Sequence, residues 1–115
     1  MKEAKKQQLN SSFQSAQEEG YLGQYRALDK NRADYGQMLQ SLQLEKQKGL
    51  ATDATATFWM SKTGPVNGTI GDYETLMVNY GVWVRNLELT YWQKMLAIEN
   101  AINQTELDAI NITLP

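Results

Sequence analysis

The chain has 115 residues, carries a net charge of −2 and contains neither cysteine nor histidine. This composition excludes disulfide frameworks, cysteine or histidine metal sites, histidine-based catalysis and cysteine nucleophiles. The length predicts one domain over residues 1–115, and no pattern in the sequence predicts a cofactor or a metal site.

Neither membrane insertion nor secretion is predicted. The sequence has no run of 18 apolar residues, which a transmembrane helix would need. The basic N-terminal segment MKEAKKQQLNSS is not followed by an apolar stretch, so it lacks the pattern of a signal peptide. We therefore expect a cytoplasmic or virion-associated protein.

Charge is distributed unevenly along the chain. Residues 1–50 carry eight Lys and Arg against six Asp and Glu, whereas residues 51–115 carry three against seven. The imbalance is too small to predict nucleic-acid binding, so nucleic acid stays an unsupported partner class.

The first 48 residues are predicted to be helical with one break. Leu9, Phe13 and Ala16 have the four-three spacing of a weak helix, and Gly20 predicts a break or kink after it. A second helix over residues 21–48 has an apolar position every seven residues, at Tyr21, Leu28, Tyr35 and Leu42.

Residues 50–62, LATDATATFWMSK, fit two structures. The alternation of β-branched and aromatic residues is typical of a strand, whereas alanine and methionine favour helix and Asp53 is a possible cap. We favour helix, which extends the first arm over about 21–62. Residues 63–71, TGPVNGTIG, are then predicted to be a loop that reverses the chain, with a small β-hairpin at the Asn67–Gly68 turn signal as the alternative.

Residues 72–104 form the longest periodic segment, with Asp72 as the predicted N-cap. On an ideal helix, apolar residues spaced three or four apart fall within about 40° of one line. We expect this stripe to close the fold of the subunit through Tyr73, Met77, Tyr80, Val84, Leu87, Tyr91, Met95, Ile98 and Ile102.

The same helix carries apolar residues on its opposite side. A surface helix needs one apolar stripe, and a helix with two is normally covered on both sides. Either the chain folds back twice and covers both faces, or a second subunit or another protein covers the outer one. We favour the intermolecular contact and predict as interface residues Val78, Val82, Leu89, Trp92 and Leu96.

Two further patterns are interpreted structurally. The acids of the long helix, such as Glu88 and Glu99, share no face with a partner acid or base, so no catalytic site is predicted. Four Asn-x-Ser/Thr triplets have the form of N-glycosylation sites, but we interpret their asparagines as turn and helix-end residues. These asparagines are Asn10, Asn67, Asn103 and Asn111.

The passage LQLEKQKGLATDATATFWMSKTGP, residues 42–65, lies between two long Gln- and Asn-rich helical runs. It resembles the central part of the DNA pilot proteins, minor virion proteins of small single-stranded DNA phages. The resemblance implies helical segments that oligomerise into a tube through which DNA passes. The glycine-rich apolar N-terminus of that family has no counterpart here, and no functional residue is carried over.

These patterns predict an all-α fold, an antiparallel helical hairpin or small helical bundle that oligomerises. Its parts are an arm over about 21–62, a loop over 63–71, a long helix over 72–104 and a short tail. The predicted function is non-enzymatic, namely a self-associating structural or assembly subunit of a phage virion or a secretion apparatus. The alternative is a small helical binding module, an inhibitor or adaptor, that engages a different protein through the second apolar face.

Overall fold

One long helix, α3 (Ile70–Asn100), organises the computed structural model, which describes residues 1–115. Its 31 residues make it about 46 Å long. The molecule measures 61 × 26 × 18 Å, so it is elongated along this helix. The other elements, in chain order, are α1 (Lys2–Glu19), α2 (Asp29–Gln47), β1 (Ala56–Ser61), β2 (Gly64–Thr69) and α4 (Gln104–Asp108).

The all-α prediction is wrong, because residues 56–69 form an antiparallel β-hairpin instead of a helix and a loop. The strands are joined by a two-residue turn at Lys62–Thr63. Alternation along β1 turns Trp59 inward, where it is buried, and Phe58 outward, where it is exposed. The first helical arm therefore ends at Gln47 and not near residue 62.

The turn signal at Asn67–Gly68 lies inside β2 and makes no turn. Gly68 packs under the Trp59 indole, and a Cβ at Gly68 would lie 2.6 Å from that ring. Glycine is therefore needed at this position because a neighbouring side chain approaches the backbone closely.

A capping box fixes the start of α3 two residues before the predicted position. Thr69 is the N-cap: its Oγ1 accepts a hydrogen bond from the Asp72 amide at 3.1 Å. Asp72 Oδ2 accepts one from the Thr69 amide at 3.0 Å. The two reciprocal bonds satisfy backbone donors that the first helical turn leaves free.

The end of α3 also differs from the prediction. The helix ends at Asn100, Ala101 is extended, and Ile102 is left 84% exposed, outside the predicted core stripe. Asn103 then caps α4, because its Oδ1 accepts a hydrogen bond from the Glu106 amide at 2.8 Å. Residues 109–115 have no regular structure, and Ile110, Ile112 and Leu114 pack on the buried residues of this end.

The first two helices lie end to end along α3, and both run antiparallel to it. As the residue number in α3 rises, the residue number of the contacted partner falls within each helix. The pairs that fix these directions are Lys46–Glu74, Arg32–Glu88, Phe13–Tyr91 and Lys6–Glu99.

Two separate cores form along α3. The first lies at its N-terminal half, under α2 and the hairpin, and contains Tyr25, Ala27, Leu42, Trp59, Ile70, Tyr73, Met77, Tyr80 and Val84. The second lies at its C-terminal half, under α1 and α4, and contains Leu9, Met95, Ile98, Ala101 and Leu107. Seven of the nine residues of the predicted core stripe are buried, Tyr91 is half-buried and Ile102 is exposed.

The break between α1 and α2 depends on Gly20. Its φ of 85° and ψ of 175° lie in a region that glycine adopts almost alone. A methyl group at Gly20 would overlap the Tyr25 carbonyl group. Tyr21 and Tyr25 form an isolated antiparallel bridge across the turn that follows. The predicted break at this glycine is therefore present.

Two buried tyrosines of α3 hold the first arm in place. Tyr80 donates its hydroxyl hydrogen to the Arg26 carbonyl at 2.6 Å, beyond the break, and Tyr73 donates to the Tyr35 carbonyl at 2.8 Å, in α2. Each phenol thus buries its ring while its hydroxyl finds a partner, which removes the cost of burying a polar group.

The hairpin is attached to the same region. Tyr35 donates to the Met60 carbonyl at 3.0 Å, and the Trp59 indole N–H donates to the Tyr25 hydroxyl at 3.2 Å. The Lys62 amide, in the turn, donates to the Gln24 carbonyl at 2.9 Å. The break, α2, the hairpin and α3 consequently share one hydrogen-bonded aromatic cluster.

We expect Gly20→Ala to destabilise the protein by about 1–3 kcal/mol, because alanine strains this backbone conformation and meets the Tyr25 carbonyl. Gly36→Ala is the matched control: Gly36 lies inside α2 with nothing within 4 Å of an added Cβ. It should stabilise the protein by about 0.4–1 kcal/mol through higher helix propensity. Urea unfolding followed by circular dichroism measures both, and equal effects of the two substitutions would contradict this account of the break.

We expect the protein to lose stability in alkali. Burial, with the adjacent Tyr35 phenol adding to it, raises the pKa of Tyr80 to about 12, whereas an unfolded tyrosine titrates near pH 10. Between about pH 10 and 12 the unfolded chain therefore loses a proton that the native state keeps, and the free energy of unfolding falls as the pH rises. Burial raises the pKa of Tyr73 as well.

Urea unfolding at a series of pH values from 8 to about 12 tests this. Tyr80→Phe should be less stable at pH 8, because it lacks the hydrogen bond to Arg26, and should show a shallower loss of stability above pH 10. A slope identical to that of the wild type would contradict the assignment to Tyr80.

Candidate protein–protein interface

The outer side of α3 carries an apolar stripe, interrupted by Arg85, that the rest of the chain leaves uncovered. The five predicted interface residues all lie on it, at different points of one face. Their exposed fractions are 66% for Val78, 43% for Val82, 57% for Leu89, 59% for Trp92 and 54% for Leu96. We call this set the α3 stripe. Its role as an interface stays a prediction.

The α3 stripe is uncovered because both covering helices lie on the same side of α3. Since α1 and α2 lie end to end, they occupy one face of α3 between them. The opposite face stays exposed at all five positions of the stripe. Of the two alternatives, the one with both faces covered within the subunit therefore does not occur.

The spacing of the α3 stripe is that of a coiled-coil seam. From Val78 to Leu96 the steps alternate between four and three residues when Arg85 is included between Val82 and Leu89. No ion pair or hydrogen bond within the chain involves the Arg85 guanidinium. No role is predicted for Arg85 from the sequence, although its position three residues after Val82 places it in the seam.

A second apolar patch lies on the outer face of the hairpin. Phe58 is 57% exposed and Met60 is 53% exposed, because both point away from Trp59 on the same strand. Sequence reasoning missed this patch, since it favoured a helix over these residues. The patch is short, with two large side chains, and is smaller than the α3 stripe.

A polar cleft of about 230 Å³ lies between the turn of the hairpin and the start of α2. Its two cations already bind main-chain acceptors: Arg26 donates to the Glu18 carbonyl and Lys62 to the Glu19 carbonyl, each at 3.2 Å. They therefore stabilise the C-terminal end of α1, where free carbonyl groups favour positive charge.

One cluster of charged side chains joins three segments. Lys46 Nζ lies 2.5 Å from Asp53 Oδ1 and 2.8 Å from Glu74 Oε1. The hydrogen bond from Lys46 lowers the pKa of Asp53, and hydrogen bonds to Asp53 and Glu74 raise the pKa of Lys46. Each charge in the cluster has an opposite partner, so the cluster has the character of a structural ion pair that ties α2 to the start of α3.

No three His, Cys, Asp or Glu side chains lie close enough together to hold a metal ion. None of the helices combines the length and the apolarity needed to cross a lipid bilayer.

Two leucines, one on each face of α3, should differ in how much their replacement lowers the free energy of unfolding. Leu87 is 1% exposed and Leu89 is 57% exposed. Leu87→Ala should lower the free energy of unfolding by about 2–5 kcal/mol, because it leaves a cavity. Leu89→Ala should change it by less than about 0.5 kcal/mol at a concentration at which the chain does not associate. Urea unfolding at low micromolar concentration measures both, and a large effect at Leu89 would contradict an uncovered outer face.

The chain was also compared with known proteins. No protein-family model, no curated protein and no solved structure matches it. The DNA pilot resemblance of residues 42–65 thus stays a prediction, and within that passage residues 56–61 are a strand where the resemblance implies helix. Any function assigned to this chain therefore has to be argued from its own surface, where five of the twelve exposed large apolar side chains lie in the α3 stripe.

Proposed function

We propose that the protein is a non-enzymatic structural subunit that self-associates through the α3 stripe. The observation that carries the proposal is an uncovered coiled-coil seam of five large apolar side chains on one face of a helix. Large exposed apolar patches on small proteins mark sites of interaction, whereas single exposed apolar residues do not.

The size of the α3 stripe suits a reversible association. Full burial of one Val or Leu side chain is worth about 1.5–3 kcal/mol. Two stripes of five side chains, each about half exposed, would release on the order of 10 kcal/mol on pairing. The loss of rotational and translational freedom costs about 4–15 kcal/mol, so we expect an assembly whose population depends on concentration.

A role without catalysis is supported by the chemistry of the chain. The sequence has no histidine or cysteine, and the cations of its polar cleft are bound to carbonyl groups of α1. The DNA pilot resemblance of residues 42–65 favours a virion as the setting of this assembly.

We expect Leu89→Glu to abolish self-association without unfolding the chain. Leu89 is exposed in the single subunit, so a helix-favouring glutamate costs little there, whereas in the assembly it would place a charge in an apolar seam. Light scattering over a concentration series should show the wild type rising above its monomer mass of 13.1 kDa, with the variant remaining at that mass.

Leu44→Glu is the matched control, because Leu44 is 53% exposed but lies on α2, away from the stripe. It should associate as the wild type does. A wild type that stays monomeric at several hundred micromolar, or equal loss of association in both variants, would overturn the proposal. A monomeric wild type would favour the binding of a different protein through the same stripe.

A further inference from the structure

We infer that the occupant of the α3 stripe is a second copy of this chain, whose α3 lies antiparallel across a twofold axis on the outer side of the helix, at the level of Leu87. This inference rests on the self-association proposed above and specifies its geometry. It follows from the order of the side chains along the stripe, from the position of Arg85 between them and from the length of the stripe.

Four residues of the α3 stripe are arranged symmetrically about position 87 in sequence. Val78 and Leu96 lie nine residues on either side of it, and Val82 and Trp92 lie five residues on either side. The fifth residue, Leu89, has Arg85 as its counterpart. When two such helices pair in opposite directions with position 87 at the centre, Leu89 meets Arg85 of the partner subunit, and each of the other four residues meets a residue of the partner subunit's stripe.

The side chains brought together this way complement each other in size. Val78 meets Leu96 of the partner subunit, and Val82 meets Trp92 of the partner subunit. A small side chain thus faces a large one in each of these layers, which is the condition for filling an interface to the density of a protein interior. A shift by one heptad would leave two apolar positions of each helix unpaired.

Arg85 sets the direction of pairing. In a parallel pair with the helices in register, two Arg85 guanidinium groups would meet in one layer of the seam, and like charges in an apolar contact repel. In the antiparallel pair, Arg85 meets Leu89 of the partner subunit and lies on the same flank as Glu88 of the partner subunit.

Glu88 already has one cationic neighbour. Its Oε1 lies 2.9 Å from Arg32 Nη1 of the same chain, and the side chain is 39% exposed on the side that borders the stripe. Arg85, which has no ion pair within its own chain, therefore gains a carboxylate partner in the antiparallel dimer. Each glutamate would lie between Arg32 of its own chain and the partner subunit's Arg85.

The length of the seam lets the two α3 stripes overlap along their whole extent. Eighteen residues separate Val78 from Leu96, which is roughly 27 Å of helix. The seam repeats every 3.5 residues on average, and two helices that follow such a seam coil around each other with a left-handed twist. Among the antiparallel registers, the one centred on position 87 covers all six positions of the seam, Arg85 included.

Distances between spin labels test the inference. The chain has no cysteine, so single cysteines at Thr75 and at Glu99 give labels at defined sites just outside the apolar layers. Both residues are exposed, and each lies 12 residues from Leu87. In the antiparallel dimer both labelled proteins should give one distance centred at roughly 36 Å, the length of 24 helical residues.

The possible results separate the two proposals. Distances below roughly 20 Å at both sites indicate parallel helices 8–10 Å apart and overturn the antiparallel pairing, while self-association stands. The absence of any dipolar signal, at concentrations where the wild type would be associated, overturns self-association itself. Thr75→Cys and Glu99→Cys alter exposed positions only, so both variants should fold. Circular dichroism checks that they do.

Arg85→Leu in the Thr75→Cys background tests separately whether Arg85 sets the direction of pairing. Leucine removes the like-charge contact that disfavours the parallel pair, so a second, short distance should appear beside the long one. Association should also tighten, because the seam becomes apolar throughout. A distance distribution unchanged by Arg85→Leu would overturn the assignment of Arg85 as the residue that sets the direction.

Discussion

The length of α3 is the constraint on which the rest of the structure depends. The helix is about 46 Å long, and neither the 18 residues of α1 nor the 19 of α2 can cover it alone. Two helices laid end to end can cover it, provided that the chain continues in the same direction after the break between them. Gly20 permits the interruption, and the hydroxyl groups of Tyr73 and Tyr80 hold the far side of it against α3. The hairpin then fills the space beside the break, where its turn bonds to Gln24.

This solution uses the whole first half of the chain on one face of α3. The opposite face is left with apolar side chains and a coiled-coil spacing, although nothing in the subunit reaches it. A helix of this kind is stable in the monomer because one stripe is enough to hold it in place. The second stripe adds nothing to that stability, which is why a contact outside the subunit is the physical explanation that we favour for it.

The helical periodicity of α3 was strong enough to predict both of its faces from sequence. Eight turns of three- and four-residue spacing leave little ambiguity, so the sequence predicts the correct side of the helix for the five exposed residues and for the core stripe as far as Ile98, whereas Ile102 lies beyond the end of the helix. Arg85 was missed because a charged residue was not expected at a seam position. The assignment of the outer residues to an interface is a matter of function, and burial within one subunit does not decide it.

The hairpin was mispredicted for reasons that lie in particular residues. Ala56, Phe58 and Met60 are compatible with helix. The contact that favours the strand is the packing of the Trp59 indole on the backbone of Gly68, which is nine residues away in sequence. The actual turn at Lys62–Thr63 has no strong turn dipeptide, whereas Asn67–Gly68 has one and lies in a strand. Local propensity was overridden by a tertiary contact that no short window of sequence contains.

The division of the interior into two cores has a consequence for how the chain opens. Segments with separate cores exchange their amide hydrogens as separate cooperative units, and the unit with fewer buried side chains opens more readily. Here that unit is the end formed by α1, the last turns of α3 and α4, with five buried residues against nine. Because the antiparallel pairing that we infer would place the weaker end of each subunit alongside the stronger end of the other, association would slow hydrogen exchange most where the single chain protects its amides least.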